Sequence, residues 1–279
     1  MPFHVSPSQI RTWLSCPYSW YLDKVLHAER SRVVKPAREA GSALHDVSAA
    51  VRDLQLDVGG HSATHPDYDL ARVFADVYKD LPAELTAAPE FQKMWSDAQL
   101  VGLPWYCREY LPGKTTLLSE GEQEAEIPGS DYTMVTRMDW VYAQDQVLGV
   151  SDSKFGRKPS GLDSDLQLTI YAWMVGEKCG RLPDVLEFVH TPSVGKKTRA
   201  TADKPAGLAD PVLRTTRTVE QIDATFSAVV YPAIAGMRRC RETLQPPPAN
   251  PEGKFGCAGC DFRALCPVGG AGGDEEEGE

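Results

Sequence analysis

The stretch TMVTRMDWVYAQDQVLGVSDSK, Thr133 to Lys154, decides the fold. Alternation from Thr133 to Tyr142 puts Val135, Arg137, Asp139 and Val141 on one face of a strand. Leu148, Val150, Asp152 and Lys154 share a face of the next strand. A two-residue turn at Asp145-Gln146 sets residue 144 opposite 147, and therefore Asp139 opposite Asp152. Like charges facing each other across a sheet repel, so two inward carboxylates predict a cation between them. Oxygen ligands suit Mg2+ or Mn2+. Lys154, two residues beyond Asp152 on the same face, is placed to orient or deprotonate an attacking water, or to stabilise charge developing on a phosphate. Asp-x-Lys by itself equally describes an exposed surface ion pair. Asp139 at hairpin distance is what separates the two readings.

Working outward, a helix is expected from about Asp163 to Glu177, with Gln167 and Tyr171 four apart on one face. Beside an acidic metal site they are expected to hold a phosphate backbone; the plainer reading is an ordinary amphipathic helix. Arg157 and Lys158 add positive charge directly after the motif strand, where a solvated turn is the plainer reading. Upstream, Ala40, Leu44, Val47, Val51 and Leu54 recur with helical period, and His45 lies at the edge of that stripe. Spacing alone does not bring His45 to the hairpin. The N-terminus reads as a helix capped by Ser6 with Pro7 in its first turn and an apolar stripe of Ile10, Trp13, Leu14, Tyr18 and Tyr21. Residues 68 to 110 read as helices broken near Pro82, Pro89 and Pro104, without identifiable chemistry. A strand at Val185 to His190, a helix at about Val219 to Arg241 and a break at Pro246-Pro247-Pro248 follow.

The 279 residues are 42% hydrophobic and 24% charged, as expected of a packed globular chain and not of a fibrous or wholly disordered one. No apolar run approaches the roughly 20 residues that cross a bilayer, and Met1 to Ile10 lacks the pattern of a signal peptide. A cytoplasmic protein with no membrane partner is expected. The formal charge of -10 argues at first against a nucleic-acid partner, but Asp274, Glu275, Glu276, Glu277 and Glu279 carry half of it. Between Lys196 and Arg217 the balance reverses: Lys196, Lys197, Arg199, Lys204, Arg214 and Arg217 face only Asp203 and Asp210. Such a strip can hold a polyanion on an acidic molecule.

Seven cysteines fit a secreted disulfide framework badly. Cys257-Ala258-Gly259-Cys260 followed by Cys266-Pro267, with Cys16-Pro17 near the start, offers four thiolates for zinc or an iron-sulfur cluster. Cys107, Cys179 and Cys240 read as small apolar residues. Gly113-Lys114-Thr115 is no Walker loop, because Arg108 stands where its first glycine is required. Any helicase must therefore be a separate partner.

In this order the motifs resemble the PD-(D/E)xK nucleases, and within them the RecB-like exonucleases that carry an iron-sulfur cluster, including CRISPR-associated and phage members. SPSQIRTWLSCPYSWY, Ser6 to Tyr21, resembles their opening helix with its first cluster cysteine, and GSALH, Gly41 to His45, their histidine motif. Arg137 to Asp139, Asp152-Ser153-Lys154 and Gln167 to Tyr171 resemble the second acidic motif, the third and the QxxxY helix. The resemblance implies that His45, Asp139, Asp152 and the carbonyl of Ser153 bind Mg2+ or Mn2+, that Lys154 assists the nucleophile, and that Cys16, Cys257, Cys260 and Cys266 hold a 4Fe-4S cluster. Thr136 stands where a glycine is usual, and Phe155 where a small hydroxyl residue is frequent.

The expected fold is α/β: a restriction-endonuclease-like core with a small mixed sheet flanked by helices, plus a cysteine-stapled subdomain from both chain ends. As domains this means one nuclease domain over 1–267, with 1–30 and 245–267 forming the cluster subdomain and 57–115 a helical insertion, then a disordered acidic tail over 268–279. The expected activity is hydrolysis of DNA from free, single-stranded ends, in recombination, repair or CRISPR-type processing, by a chain that can self-associate. A structure-specific endonuclease and a non-catalytic DNA-end-binding subunit are the rival readings.

Overall fold

The structure is a computed structural model that describes residues 3–30, 35–57, 70–155, 160–191, 211–252, 257 and 259–269. In chain order the elements are β1 (Phe3–Val5), α1 (Pro7–Ser15), α2 (Pro17–Lys24), α3 (Pro36–Asp57), α4 (Leu70–Tyr78), α5 (Ala83–Thr86), α6 (Pro89–Asp97) and α7 (Leu103–Trp105). Strands β2 (Thr115–Glu126), β3 (Tyr132–Gln144) and β4 (Val147–Phe155) lead to α8 (Leu166–Cys179), β5 (Val185–Thr191), β6 (Val212–Thr215), α9 (Val219–Thr225) and α10 (Tyr231–Thr243). The chain divides into two compact units: residues 1–33, 124–136 and 219–279 form one, and residues 34–123 and 137–218 the other.

In the first unit, Ser6 caps α1 by accepting the Gln9 N–H at 3.3 Å, as the sequence predicts. The expected single helix is nevertheless two, because Pro17 bars its predecessor from helical backbone and Cys16 takes an extended φ of -155°. Strand β1, not expected from sequence, pairs in parallel with Tyr132, Thr133 and Met134 of β3. The aromatic residues of α1 and α2 serve packing: Trp20 and Tyr21 are buried, Trp13 meets Trp20 edge-on at 5.3 Å, and the Tyr21 hydroxyl donates to the Leu244 carbonyl at 2.7 Å. A Cβ on Gly236 of α10 would collide with the Trp13 ring, so this helix position needs glycine to let the indole approach.

The second unit is built on a mixed sheet. β4 runs antiparallel to β3 and parallel to β5, and β6 closes antiparallel on β5, while β2 also pairs with β3. The hairpin register is the expected one, with Gln144 opposite Val147 and Trp140 opposite Ser151. Helix α8 makes the crossover that two parallel strands require. It is capped by Asp165, whose side chain accepts the Leu168 N–H at 2.9 Å, and is ended by Gly180 at φ +70°.

Residues 70–111 are helical and contribute large side chains to the core. Phe74, Phe91, Trp95, Tyr106 and Tyr110 bury with Leu44, Val47 and Val51 of α3 and with Trp140 and Tyr142 of β3. Helix breaks fall at Pro82 and Pro89 as expected, but Pro104 sits in the first turn of α7 and the helical path continues, with π-helical turns at Ala98–Gly102 and Tyr106–Tyr110. Tyr110 and Tyr142 both donate to Glu187, which also takes Arg214 Nε at 2.8 Å, and Lys114 Nζ lies 3.6 Å from the centre of the Tyr110 ring. Buried carboxylates persist when their lone pairs are met in this way.

Tyr142 reaches Glu187 by lying across Gly149, its partner on β4, where any Cβ would intrude into the ring. Gly149→Ala is therefore expected to lower stability by about 1–3 kcal/mol through overpacking, although strand preference by itself favours alanine. Urea unfolding of the two proteins checks this. A variant as stable as the parent would show that Tyr142 can move aside without loss.

Candidate active site

All the residues discussed first lie in the second unit. The β3–β4 hairpin delivers Asp139 and Asp152, each one residue beyond the last pair of the ladder, Trp140 and Ser151. Both are buried, at 7% and 1% exposure. Asp139 Oδ2 accepts the Ser153 N–H at 2.7 Å. Asp152 Oδ1 accepts from Gln167 Nε2 at 2.8 Å, while Oδ2 is in ion-pair contact with Lys154 yet has no hydrogen bond of good geometry. A buried carboxylate oxygen in that condition keeps a lone pair for a cation.

Tertiary packing brings His45 to this hairpin. The imidazole of α3 places Nδ1 3.0 Å from Asp139 Oδ2 and 3.6 Å from Glu120 Oε1, and meets the Phe155 ring edge-on at 5.4 Å. His45, Glu120 and Asp139 present ligand atoms within 4.8 Å of one another. Octahedral Mg2+ or Mn2+ with ligands at about 2.1 Å puts neighbouring ligand atoms about 3.0 Å apart, so the His45–Asp139 spacing suits one shared ion. The mixed nitrogen and oxygen donors also suit Mn2+. Phe155, a departure from the expected hydroxyl residue, supports the histidine ring.

Glu120 is the residue that sequence reading missed. It belongs to SEGEQEAE, where Glu120, Glu122, Glu124 and Glu126 read as one solvated face of a strand. The structure puts Glu120 at φ +47°, and the alternation changes phase there: Glu122, Glu124 and Glu126 are exposed while Glu120 turns inward. No spacing in the sequence signals that kink.

Other expected residues find partners inside the protein. Gln167 donates to Tyr171 Oη at 2.6 Å as well as to Asp152, and Tyr171 donates to the Arg137 carbonyl at 2.8 Å. Arg137 is largely exposed, with Nε 3.2 Å from Glu120 Oε2. Lys154 Nζ stands 5.0 Å from the centre of the Phe188 ring. Arg157, Lys158 and residues 196–210 of the basic strip lie outside the described residues. Arg217 of that strip is buried, donating to Thr169 Oγ1 at 2.8 Å and to the Leu162 carbonyl, so it clasps the start of α8 and does not face a polyanion.

The four expected cluster cysteines sit together in the first unit. Cys16, Cys257, Cys260 and Cys266 line one cavity with Tyr18, Leu22 and Phe262, and all four thiols are free. Two of the sulfurs accept backbone N–H groups, Cys16 from Asn250 at 3.4 Å and Cys260 from Phe262 at 3.5 Å. Cys107 and Cys240 are buried as expected, whereas Cys179 is exposed, because it falls on the last turn of α8.

The electrostatics of the acidic site follow from burial. Desolvation and the neighbouring Asp139 charge push Asp152 up to about 7, against the pull of Lys154. Burial would raise Asp139 too, but His45, Lys154 and the Ser153 N–H outweigh it and hold Asp139 ionised. For His45, burial would lower the pKa, yet hydrogen bonds to Asp139 and Glu120 carry it up to about 10. A cation held through His45 and Asp152 would compete with protons for both groups. The apparent Mn2+ affinity is therefore expected to rise at least about tenfold between about pH 6 and pH 8, measured by calorimetry in buffers of different ionisation heat. Affinity independent of pH, with no proton released, would contradict this arrangement.

Three comparisons bear on this geometry. No curated protein sequence matches the chain significantly. A solved structure from Eubacterium rectale, described as a "Putative exonuclease", shares 11% identity over 99% of this chain and 90% of its own, at a TM-score of 0.51, which speaks to the fold alone. The structure of SSO0001 shares 13% identity over 96% of this chain and 87% of its own, but its TM-score of 0.42 is too low to build on. The family model of the PD-(D/E)XK nuclease superfamily matches residues 4–267, covering the hairpin acids, the lysine, His45 and the QxxxY helix, and the chain belongs to that superfamily.

Proposed function

We propose that the protein is a divalent-metal-dependent deoxyribonuclease that digests single-stranded DNA from a free end. The observation that carries the reading is the convergence of His45, Glu120 and Asp139 within metal-binding distance, beside a buried Asp152 paired with Lys154. His45, Asp139, Asp152 and the Ser153 carbonyl would hold Mg2+ or Mn2+, which when bound supplies Lewis-acid activation of the phosphate and of water. Gln167, itself held by Tyr171, keeps Asp152 aimed. Lys154, as the ammonium paired with Asp152, would orient the attacking water and balance the charge growing on the phosphate. Arg137, Arg157 and Lys158 are the proposed backbone contacts. The name given to the Eubacterium rectale neighbour is in keeping with an exonuclease.

The four cysteines are proposed to hold a 4Fe-4S cluster that ties 1–30 to 245–267 as one subdomain. Support comes from the donor set: four free thiols on one cavity, two already accepting the N–H···S bonds that tune such clusters. Protein purified without oxygen is expected to be brown, with visible absorbance lost in Cys257→Ala. A colourless preparation holding stoichiometric zinc and no iron would replace the cluster by a zinc site.

The activity is tested with end-labelled linear and closed circular single-stranded DNA and Mg2+ or Mn2+. Linear strands should shorten and circles persist, and Asp152→Ala and Lys154→Ala should each lower the rate by at least about 1,000-fold with unchanged circular dichroism. Circles cut as fast as linear strands are degraded would make the protein an endonuclease. DNA bound at its ends but cut under no condition would leave the end-binding subunit.

A further inference from the structure

A permanently charged side chain lies completely buried behind the acidic site. Arg52, at 0% exposure, follows His45 by two turns on the same face of α3. Its Nε donates to Ser119 Oγ at 3.0 Å, Nη2 to Glu120 Oε1 at 3.3 Å and Nη1 to the Tyr106 hydroxyl at 3.3 Å. Ser119 and Glu120 are consecutive, and Glu120 holds the left-handed backbone that aims it inward. Such a conformation persists in a non-glycine residue when its surroundings hold it. The same Oε1 that Arg52 grips lies 3.6 Å from His45 Nδ1, and Oε2 meets Arg137.

We infer that Arg52 is a positioning residue for metal binding: with Tyr106 behind it, it fixes Glu120 against His45 and thereby sets the geometry of the His45–Asp139 metal site. The inference rests on the metal-site reading given above and extends it to residues that touch neither metal nor substrate. A guanidinium suits this task because its fork makes three separate bonds in fixed directions, which a lysine ammonium does not reproduce. Its positive charge also offsets the negative charge of Glu120. Tyr106 comes from the π-helical turn Tyr106–Tyr110, so the helical segment before β2 reaches the site through this bond.

The test is Mn2+ titration of the DNA-free protein by calorimetry, with free Mn2+ counted by electron paramagnetic resonance. Substitution of groups that orient metal ligands weakens affinity by about 10–100-fold, and that loss is expected for Arg52→Gln and for Glu120→Gln. Because Arg52 acts through Glu120, the double variant should bind no more weakly than the poorer single one. Tyr106→Phe keeps the ring, removes only the acceptor of Nη1, and should weaken binding about 2–5-fold; it carries the test if Arg52→Gln does not fold. Folded Arg52→Gln within twofold of the parent, effects that multiply in the double variant, or an unchanged Tyr106→Phe would each overturn the relay. Asp152→Ala serves as control: a parent protein that binds Mn2+ no better than this variant would remove the metal reading itself, and the relay with it.

Discussion

Two buried carboxylates brought side by side by a hairpin are the constraint that organises this molecule. Asp139 and Asp152 cannot both hold charge in a low-dielectric setting unless cations stand close by, since desolvation and mutual repulsion act in the same direction. The structure distributes the compensation. Asp139 keeps its charge against His45 and the Ser153 N–H, and Asp152 is balanced between a proton and Lys154. The charge of each carboxylate is thus met by groups of the protein itself.

The helices before the sheet are best understood from the same constraint. Two tyrosines one turn apart do two jobs: Tyr106 meets the cation Arg52, and Tyr110 meets the anion Glu187. Glu187 is paired with Ser151, so strand alternation turns it to the face opposite Asp152. Buried charge thus occurs on both faces of one sheet, and a single helical segment supplies partners to Glu187 on one of them and to Arg52 of α3. That explains why residues with no recognisable motif belong to the core and why the large aromatic side chains concentrate there.

The cysteine site obeys a different economy. Pro17 breaks the first helix and leaves Cys16 at an extended joint, where its sulfur is presented to Asn250 and to the cavity shared with Cys257, Cys260 and Cys266. A cysteine inside a continuous helix would instead be confined to the side-chain direction of its turn. The proline after Cys16, which the sequence displays openly, therefore shapes how this thiol is presented as much as the cysteine does.

What the sequence determined by itself is whatever depends on residues near one another in the chain. The hairpin register, the placing of Asp139 and Asp152 together, the Lys154 position, the Ser6 cap, the Gln167–Tyr171 pair and the CxxC all follow from periods of two and 3.6 and from turn chemistry. Tertiary structure alone decided the rest. His45 reaches Asp139 across nearly a hundred residues of chain, and no spacing rule spans that distance. Glu120 enters the site because one left-handed residue shifts the phase of β2, and Arg52 looks like any charged helix residue until α3 buries it against Ser119, Glu120 and Tyr106. The physical reason is the same in each case: local pattern fixes which way a side chain leaves its own element, whereas burial and the partner that makes burial tolerable are set only when elements pack.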